Sequence, residues 1–430
     1  MNDFVLKNAI LDDDRIVDVV VDGSVISAIG TGLSASKSID CTGLRLLPGF
    51  VDLHTHLREP GFEESETVLT GTQSAALGGF TAVHAMANTS PVADNRAVVE
   101  LVRNLGRAAG YCDVFPVGAV TKNLAGSQLA DLASMANSEA AVRVFSDDGR
   151  CVSDALVMRS ALEYSRMFGG VIAQHAQEPS LTVDAQMNEG ALSAKLGLKG
   201  WPAVAEESII ARDVLLAEHT GGRLHICHLS TAGSVEVIRW AKSRGIQVTA
   251  EVTPHHLLLS EELIESYDTR FKVNPPLRSA DDVLALRAAL ADGTIDIVAT
   301  DHAPHSTEKK DCEWSAAAFG MVGLETAASI VQLALIESGL SNWKRLSEVL
   351  SLKPAEIGQD PEQGQSIRVG ITANLVLIDP EARRAISAES ASKSTNNPFA
   401  GISLPGEVVH TIYRGKFTVM NSNLQQKESM

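Results

Sequence analysis

Apolar and polar positions along this chain follow two regimes. Over roughly the first 47 residues they alternate or run in short bursts, at 4–11, 16–21 and 24–29, separated by Asp12-Asp13-Asp14 and by Asp22-Gly23. Alternation between turn signals predicts strands. Three short strands cannot close a core, so they need partners from elsewhere in the chain. From about residue 49 the pattern becomes short apolar run, loop, longer amphipathic segment, repeated. The runs are 50–53, 81–85, 114–120, 141–145, 171–174, 223–227, 247–252 and 295–299. Segments of helical period at 95–106, 154–168, 205–218, 233–242 and 280–290 lie between most of them.

Eight strands alternating with helices predict an α/β protein with a (β/α)8 TIM-type barrel. A doubly wound open sheet is the alternative, but no Gly-x-Gly-x-x-Gly follows the first of these strands. Helices are expected again at 323–338 and 342–350, then a strand at 370–379 and a hairpin of 408–414 with 416–420 across Gly415. The late strands can pair with the early ones. The expected organisation is therefore a small composite β-sandwich domain, 1–48 with 366–430, and a barrel catalytic domain, 49–365. The stretch 387–398, rich in Ser, Asn and Lys, reads as a loop or mobile segment.

Composition narrows the class. A chain of 430 residues, 45% hydrophobic and 21% charged, suits a soluble protein with a large core. The net charge of -17 argues against nucleic acid or an anionic membrane surface as a partner. Five cysteines, an odd number without regular spacing, give no disulfide framework. Cys227 reads as a small core residue. No apolar run approaches the roughly 18 residues of a membrane span, and the acidic N-terminus shows no signal segment. A cytoplasmic location is expected.

The candidate chemistry falls just past the predicted strand ends, the face on which barrel enzymes carry their sites. The first strand ends in His54-Thr55-His56. Residues i and i+2 of a strand share a face, and two imidazoles there are half of a divalent metal site. Arg58 continues that face with a planar fork suited to a carboxylate. Later strands end at Met86-Ala87-Asn88-Thr89, Ser146-Asp147-Asp148-Gly149, His175, His228, Thr253-Pro254-His255-His256, and Asp301-His302-Ala303-Pro304-His305, with Lys272 to Arg278 following the seventh. His84, His219, His225 and His410 read as ordinary hydrogen-bonding histidines. Four imidazoles (His54, His56, His175, His228), Asp301 and one acid of the Asp147-Asp148 pair are too many for one tetrahedral ion. They suffice for two ions sharing a carboxylate. Nitrogen and oxygen donors without thiolate suit Zn2+, one or two ions and two preferred, with manganese or cobalt as substitutes. Such a centre activates water near neutral pH, and Asp301 can serve as its general base.

The motifs His54-Thr-His56-Leu-Arg58-Glu-Pro-Gly61, Asn88-Thr89, Ser146-Asp-Asp148-Gly149, His175, His228, Asn274-Pro-Pro-Leu-Arg278 and Asp301-His-Ala-Pro-His305 resemble those of class I dihydroorotases of the amidohydrolase superfamily. The resemblance runs from about Val5 to about Arg414. These enzymes interconvert N-carbamoyl-L-aspartate and L-dihydroorotate in pyrimidine synthesis. The resemblance implies that His54, His56 and Asp301 hold one metal, that His175 and His228 hold a second, and that Asp148 rather than Asp147 bridges them. It implies Arg58, Asn88 and His305 as the clamp on the substrate carboxylate, with His56 also facing the substrate. Asn274 and the backbone at Phe319-Gly320 are implied as contacts to the ring amide. It further implies a small-molecule substrate and a homodimer, and leaves association with aspartate transcarbamoylase open. Ala87 departs from an expected proline and should change loop stiffness only. The rivals are a hydantoinase, dihydropyrimidinase or allantoinase, which would not need Arg58, Asn88 and His305 together, and a non-catalytic scaffold for the transcarbamoylase, which should lack several of the six ligands. The segment 311–315 is a candidate lid or a plain surface loop.

Overall fold

The computed structural model describes residues 3–426 and is mixed α/β. Its strands are β1 (Phe4–Ile10), β2 (Ile16–Asp22), β3 (Val25–Gly30), β4 (Lys37–Asp40), β5 (Arg45–Pro48), β6 (Phe50–Thr55), β7 (Phe80–Ala85), β8 (Asp113–Pro116), β9 (Val144–Phe145), β10 (Val171–Gln174), β11 (Met187–Asn188), β12 (Gly200–Trp201), β13 (Arg223–Ile226), β14 (Val248–Val252), β15 (Ile297–Val298), β16 (Leu375–Ala385), β17 (Ser403–Tyr413), β18 (Lys416–Met420) and β19 (Asn423–Leu424).

Eight of these build the layer that positions the site. β6, β7 and β8 pair in parallel, and so do β9, β10, β13, β14 and β15. Parallel bridges join Gly118 to Phe145 and Thr55 to His302, so each edge of one sheet meets an edge of the other. Gly118 permits the first junction, because a Cβ there would lie 2.9 Å from the Phe145 ring and 3.0 Å from the Met135 sulfur. Leu53, Met86, Val117, Val144, Ala173, Cys227, Ile297 and Ile357 pack together between these strands.

The connecting helices show ordinary local causes. In Arg96–Ala109, Asn95 caps the start by accepting from the Ala97 and Val98 N–H groups, and Gly110 ends it in the left-handed region. Val98, Val99, Val102, Gly106 and Ala109 form its buried stripe. The helix Val68–Leu77 was not anticipated, although Thr67 and Thr70 cap its start reciprocally. The late helices are less regular than expected. Ala327–Val331 passes into a wider turn at Gln332–Glu337, and Trp343–Ser347 reaches Lys353–Gly358 through another at Glu348–Leu352. Pro354 follows that second turn; its missing N–H and ring bulk disfavour a regular helix there.

The early and late strands form one nine-stranded sheet in the order β19-β18-β17-β16-β5-β1-β2-β3, with β4 beside β1. β16 pairs antiparallel with β5, from Leu375 opposite Pro48 to Ile378 opposite Arg45. At the far end Val25 bridges to Thr372, so the path turns back on itself. Leu6, Val19, Ile26, Leu46, Leu375, Leu377 and Ile412 fill the space it encloses. The early and late strands are thus joined in one continuous hydrogen-bonded path. The stretch 387–398 is an irregular loop, anchored where Ser394 donates to the Ser65 carbonyl at 2.7 Å and the Lys393 N–H to Glu66 at 3.2 Å. Among the described residues no helix is long and apolar enough to cross a membrane.

Candidate metal centre

The structure brings His54, His56, Asp148, His175, His228 and Asp301 into one buried cluster at the C-terminal ends of these strands, each at most 5% exposed. Asp148 lies at its middle. Its Oδ2 is 3.3 Å from His54 Nε2 and 3.2 Å from His56 Nε2. Its Oδ1 is 3.2 Å from His175 Nδ1 and 3.3 Å from His228 Nε2. Asp301 Oδ1 faces the first pair, 3.2 Å from His56 Nε2 and 3.6 Å from His54 Nε2. Asp147 turns the other way and accepts from the N–H and hydroxyl of Thr121.

The backbone helps to aim these groups. Arg58, His228 and Asp301 have φ of 61°, 31° and 45°, a region that non-glycine residues occupy at a cost and that concentrates at functional sites. Asp52, fully buried in β6, accepts from the Thr300 N–H at 2.8 Å, which ties the strand of His54 and His56 to the residue before Asp301.

Around the cluster, neighbouring side chains fix the imidazoles. His54 Nδ1 donates to Glu251 at 2.6 Å and His56 Nδ1 to Asn88 Oδ1 at 2.9 Å. Each therefore turns Nε2 inward, toward Asp148 and Asp301. Glu251 also accepts from His225 Nε2 at 3.0 Å and from the His228 N–H at 3.1 Å. His175 Nε2 donates to Gln177 Oε1 at 2.8 Å, and Asn274 Nδ2 donates to the same oxygen at 3.2 Å. Such outer partners set the tautomer and orientation of metal-binding histidines.

Electrostatics follow from this packing. Burial disfavours charge on Asp148, yet His54, with hydrogen bonds from His175 and His228, holds its carboxyl well below the ordinary range. Asp301 is likewise held at about 2 against burial, by His54 and His56. Burial opposes protonation of His54, but Asp148, Glu251 and Asp301 raise it well above its ordinary value. The cluster is short of positive charge. Buried His54 Nε2 has no hydrogen-bond partner. Two sets with ligand atoms mutually within 4.8 Å, His54–His56–Asp148 and Asp148–His175–His228, share one carboxylate. A donor set of imidazoles and carboxylates around an orphaned nitrogen fits one or two divalent cations, whose charge would take the place of the proton that the carboxylates favour on His54. Cys227 lies beside His54 and Glu251, but burial pushes its thiol up, so it stays protonated.

The other candidate residues sit at the rim. Arg58 Nε donates to the Pro304 carbonyl at 3.1 Å, and its Nη2 is 3.4 Å from His305 Nε2. Burial lowers the guanidinium to about 10, which leaves it charged at neutral pH. Burial and Arg58 lower His305 to about 3, so this ring is neutral. Its Nε2–H donates to the Phe319 carbonyl at 2.7 Å. Asn88 also donates to the Asp148 carbonyl at 3.4 Å. Gly320, at φ 136°, approaches so closely that a Cβ would lie 2.8 Å from the Ala303 Cβ. In the segment 311–315, Trp314 is buried and its carbonyl accepts from Lys272 Nζ at 2.6 Å. His84 pairs with Asp360 at 2.8 Å and His410 Nδ1 accepts from the Asn421 N–H at 3.2 Å, so neither belongs to the cluster.

Sequence reasoning missed Glu251, Gln177 and Asp52. Glu251 left a usable signal: a lone acid inside the apolar run Val-Thr-Ala-Glu-Val must be paired if the strand is buried. Asp52, an acid inside the apolar run 50–53, left the same signal, while Gln177 is an amide in a loop, where such a residue is ordinary.

Comparison with known proteins agrees with the geometry. A family described as dihydro-orotase-like matches residues 43–234. A dihydroorotase of Leifsonia xyli is 63% identical over 97% of this chain and 96% of its own. One from Streptomyces coelicolor is 63% identical over 95% and 96%, and one from Mycobacterium tuberculosis 53% over 95% and 96%. Among solved structures, an L-hydantoinase (dihydropyrimidinase) from Arthrobacter aurescens superposes with a TM-score of 0.87 at 25% identity, covering 99% of this chain and 98% of that one. A dihydropyrimidinase from Brevibacillus agri gives 0.85 at 25% identity, over 98% and 96%. With 53% to 63% identity to dihydroorotases over nearly its whole length, and a cluster of imidazoles and carboxylates where such chemistry belongs, the chain belongs to the dihydroorotase family.

Proposed function

We propose that this chain catalyses the reversible closure of N-carbamoyl-L-aspartate to L-dihydroorotate and water, the dihydroorotase step of pyrimidine synthesis. The scaffold of the proposal is a closed (β/α)8 barrel spanning 49–365, carrying a β domain from 1–48 and 366–430. The observation that carries the reading is the cluster itself, with Asp148 offering one oxygen to each pair of histidines and a charged Arg58 beside His305 at the rim. His54, His56, Asp148, His175, His228 and Asp301 would hold Zn2+, two ions being the fuller use of the donors. A bound divalent ion lowers the pKa of its water toward neutrality and polarises a carbonyl oxygen.

The chain's own groups do the rest. In ring opening Asp301 takes the proton of the attacking water and delivers it to the ring nitrogen as the amide C–N bond breaks. In closure it runs the transfer in reverse. Arg58, Asn88 and His305 orient the substrate through its carboxylate, and Asn274 with the Phe319-Gly320 backbone aligns the ring amide. Positioning of this kind turns a slow hydrolysis into a unimolecular step.

Three measurements examine the reading. Wild-type protein should open L-dihydroorotate well and hydantoin or dihydrouracil poorly, since neither of the latter bears the carboxylate; the reverse ranking points to a hydantoinase. Arg58→Lys should raise KM about 10- to 100-fold with little change in kcat, because a point charge replaces a bidentate fork. An unchanged KM removes Arg58 from the clamp. Glu251→Gln should weaken metal retention about 10- to 100-fold by freeing His54, as outer-shell changes do. Dialysis against graded chelator reads this directly, and wild-type retention would leave Glu251 a structural acid only.

A further inference from the structure

We propose that Asn396, carried on the segment that joins β16 to β17, is a positioning residue that sets the affinity of the site for its carboxylate-bearing substrate. The inference rests on the function proposed above and extends it to a residue outside the strand ends.

Asn396 is 3% exposed and lies where two rim loops meet. Its Nδ2 donates to the Ala303 carbonyl at 3.0 Å and to the Gly320 carbonyl at 3.1 Å. Its Oδ1 accepts from the His305 N–H at 3.3 Å. Its own carbonyl accepts from the Val322 N–H at 3.2 Å. A primary amide is the side chain that offers two donors and an acceptor in one plane, and all are engaged here. One loop carries His305, proposed to face the substrate carboxylate. The other carries Phe319 and Gly320, proposed to face the ring. Asn396 fixes the distance between them.

The surroundings leave that spacing little slack. Gly320 already sits against Ala303, with φ 136° and no room for a Cβ. Lys310 Nζ also donates to the carbonyls of Ala318 and Gly320, both at 2.9 Å, and of Lys272 at 3.2 Å. The Gly320 carbonyl thus accepts from both the Asn396 amide and Lys310 Nζ. The segment bearing Asn396 is itself anchored, through Ser394 to Ser65 and through Ser392 and Lys393 to Glu66. A buried amide held this firmly transmits the position of the 392–396 segment to His305 without touching the metal ligands.

The test compares wild type, Asn396→Ala and the isosteric Asn396→Asp, measuring kcat, KM for L-dihydroorotate, metal content and melting temperature. The expected result is a KM at least tenfold higher in both variants, with kcat within about threefold and metal content unchanged. Asn396→Asp should be no milder than Asn396→Ala, because its carboxylate oxygen faces two carbonyls in place of an N–H donor. A space-filling role gives the opposite order, with the isosteric variant near wild type, and overturns the proposal. So does a wild-type KM in both variants, or a fall in kcat with KM unmoved. If Asn396→Ala does not fold, Asn396→Asp is read by the same KM criterion. A wild-type protein that fails to open dihydroorotate overturns the function; an active wild type beside variants of unchanged KM overturns this inference alone.

Discussion

Asp301→Asn is expected to cut turnover of L-dihydroorotate by about 10²- to 10⁴-fold, the range that one well-placed general base supplies. Asparagine keeps the shape and one oxygen toward His54 and His56, so the substituted protein should retain most of its metal. It cannot accept the proton of the attacking water or return one to the ring nitrogen. KM should change little, since Asp301 faces the histidines rather than Arg58 and His305. Steady-state rates with metal content measured on the same sample decide the matter. A variant within threefold of wild type at full metal occupancy would remove Asp301 as the base.

Asp148→Ala is expected to have the widest effect of any single change. One carboxylate serves four imidazoles, one oxygen to each pair. Without it neither set of donors keeps its acid, and the two pairs of histidines lose the carboxylate that lies between them. Metal retention should collapse and turnover should fall by several kcal/mol of barrier, about 10³-fold or more. The adjacent Asp147→Asn is the informative control. Asp147 accepts from Thr121 through both oxygens, so its loss should cost about 1–3 kcal/mol of stability and leave the metal in place. Equal loss of metal in both variants would mean that the loop, and not the bridging oxygen pair, matters.

The contrast between these two acids marks the limit of what was legible in the chain. Spacing along the sequence exposed the strand–helix alternation and the polar residues at the strand ends. His-x-His announces its own geometry, because the period of a strand puts both rings on one face. Asp147 and Asp148, adjacent and alike, carry no such information; a fold has to turn one toward Thr121 and the other toward the histidines. Strand ends were placed less well. The run 295–299 is apolar apart from Asp296, yet only Ile297–Val298 pairs as strand β15. Strands buried on both faces lose the alternation that would mark where pairing stops.

Long-range partners were hidden for a different reason. Glu251 and His54 are 197 residues apart, and Asn396 lies 91 residues from His305. Neither spacing follows any period. The 387–398 stretch reads as a loop or mobile segment because its composition is that of an exposed loop. Its Ser and Asn side chains are instead spent on buried carbonyls and carboxylates such as Ser65, Glu66 and Ala303, a use of polar residues that composition cannot distinguish from solvation. Gly320 and the positive φ of Arg58, His228 and Asp301 belong to the same class of feature, set by the meeting of loops rather than by local sequence.

The most direct test is to strip the purified protein of divalent ions, confirm that it remains folded, and titrate zinc back while following the opening of L-dihydroorotate. Activity should be absent at zero metal and rise to a plateau at one or two equivalents per chain, with Asp148→Ala showing no such rise. Full-speed ring opening by the metal-free protein, or a titration that Asp148→Ala follows unchanged, would contradict a cluster built to hold a cation.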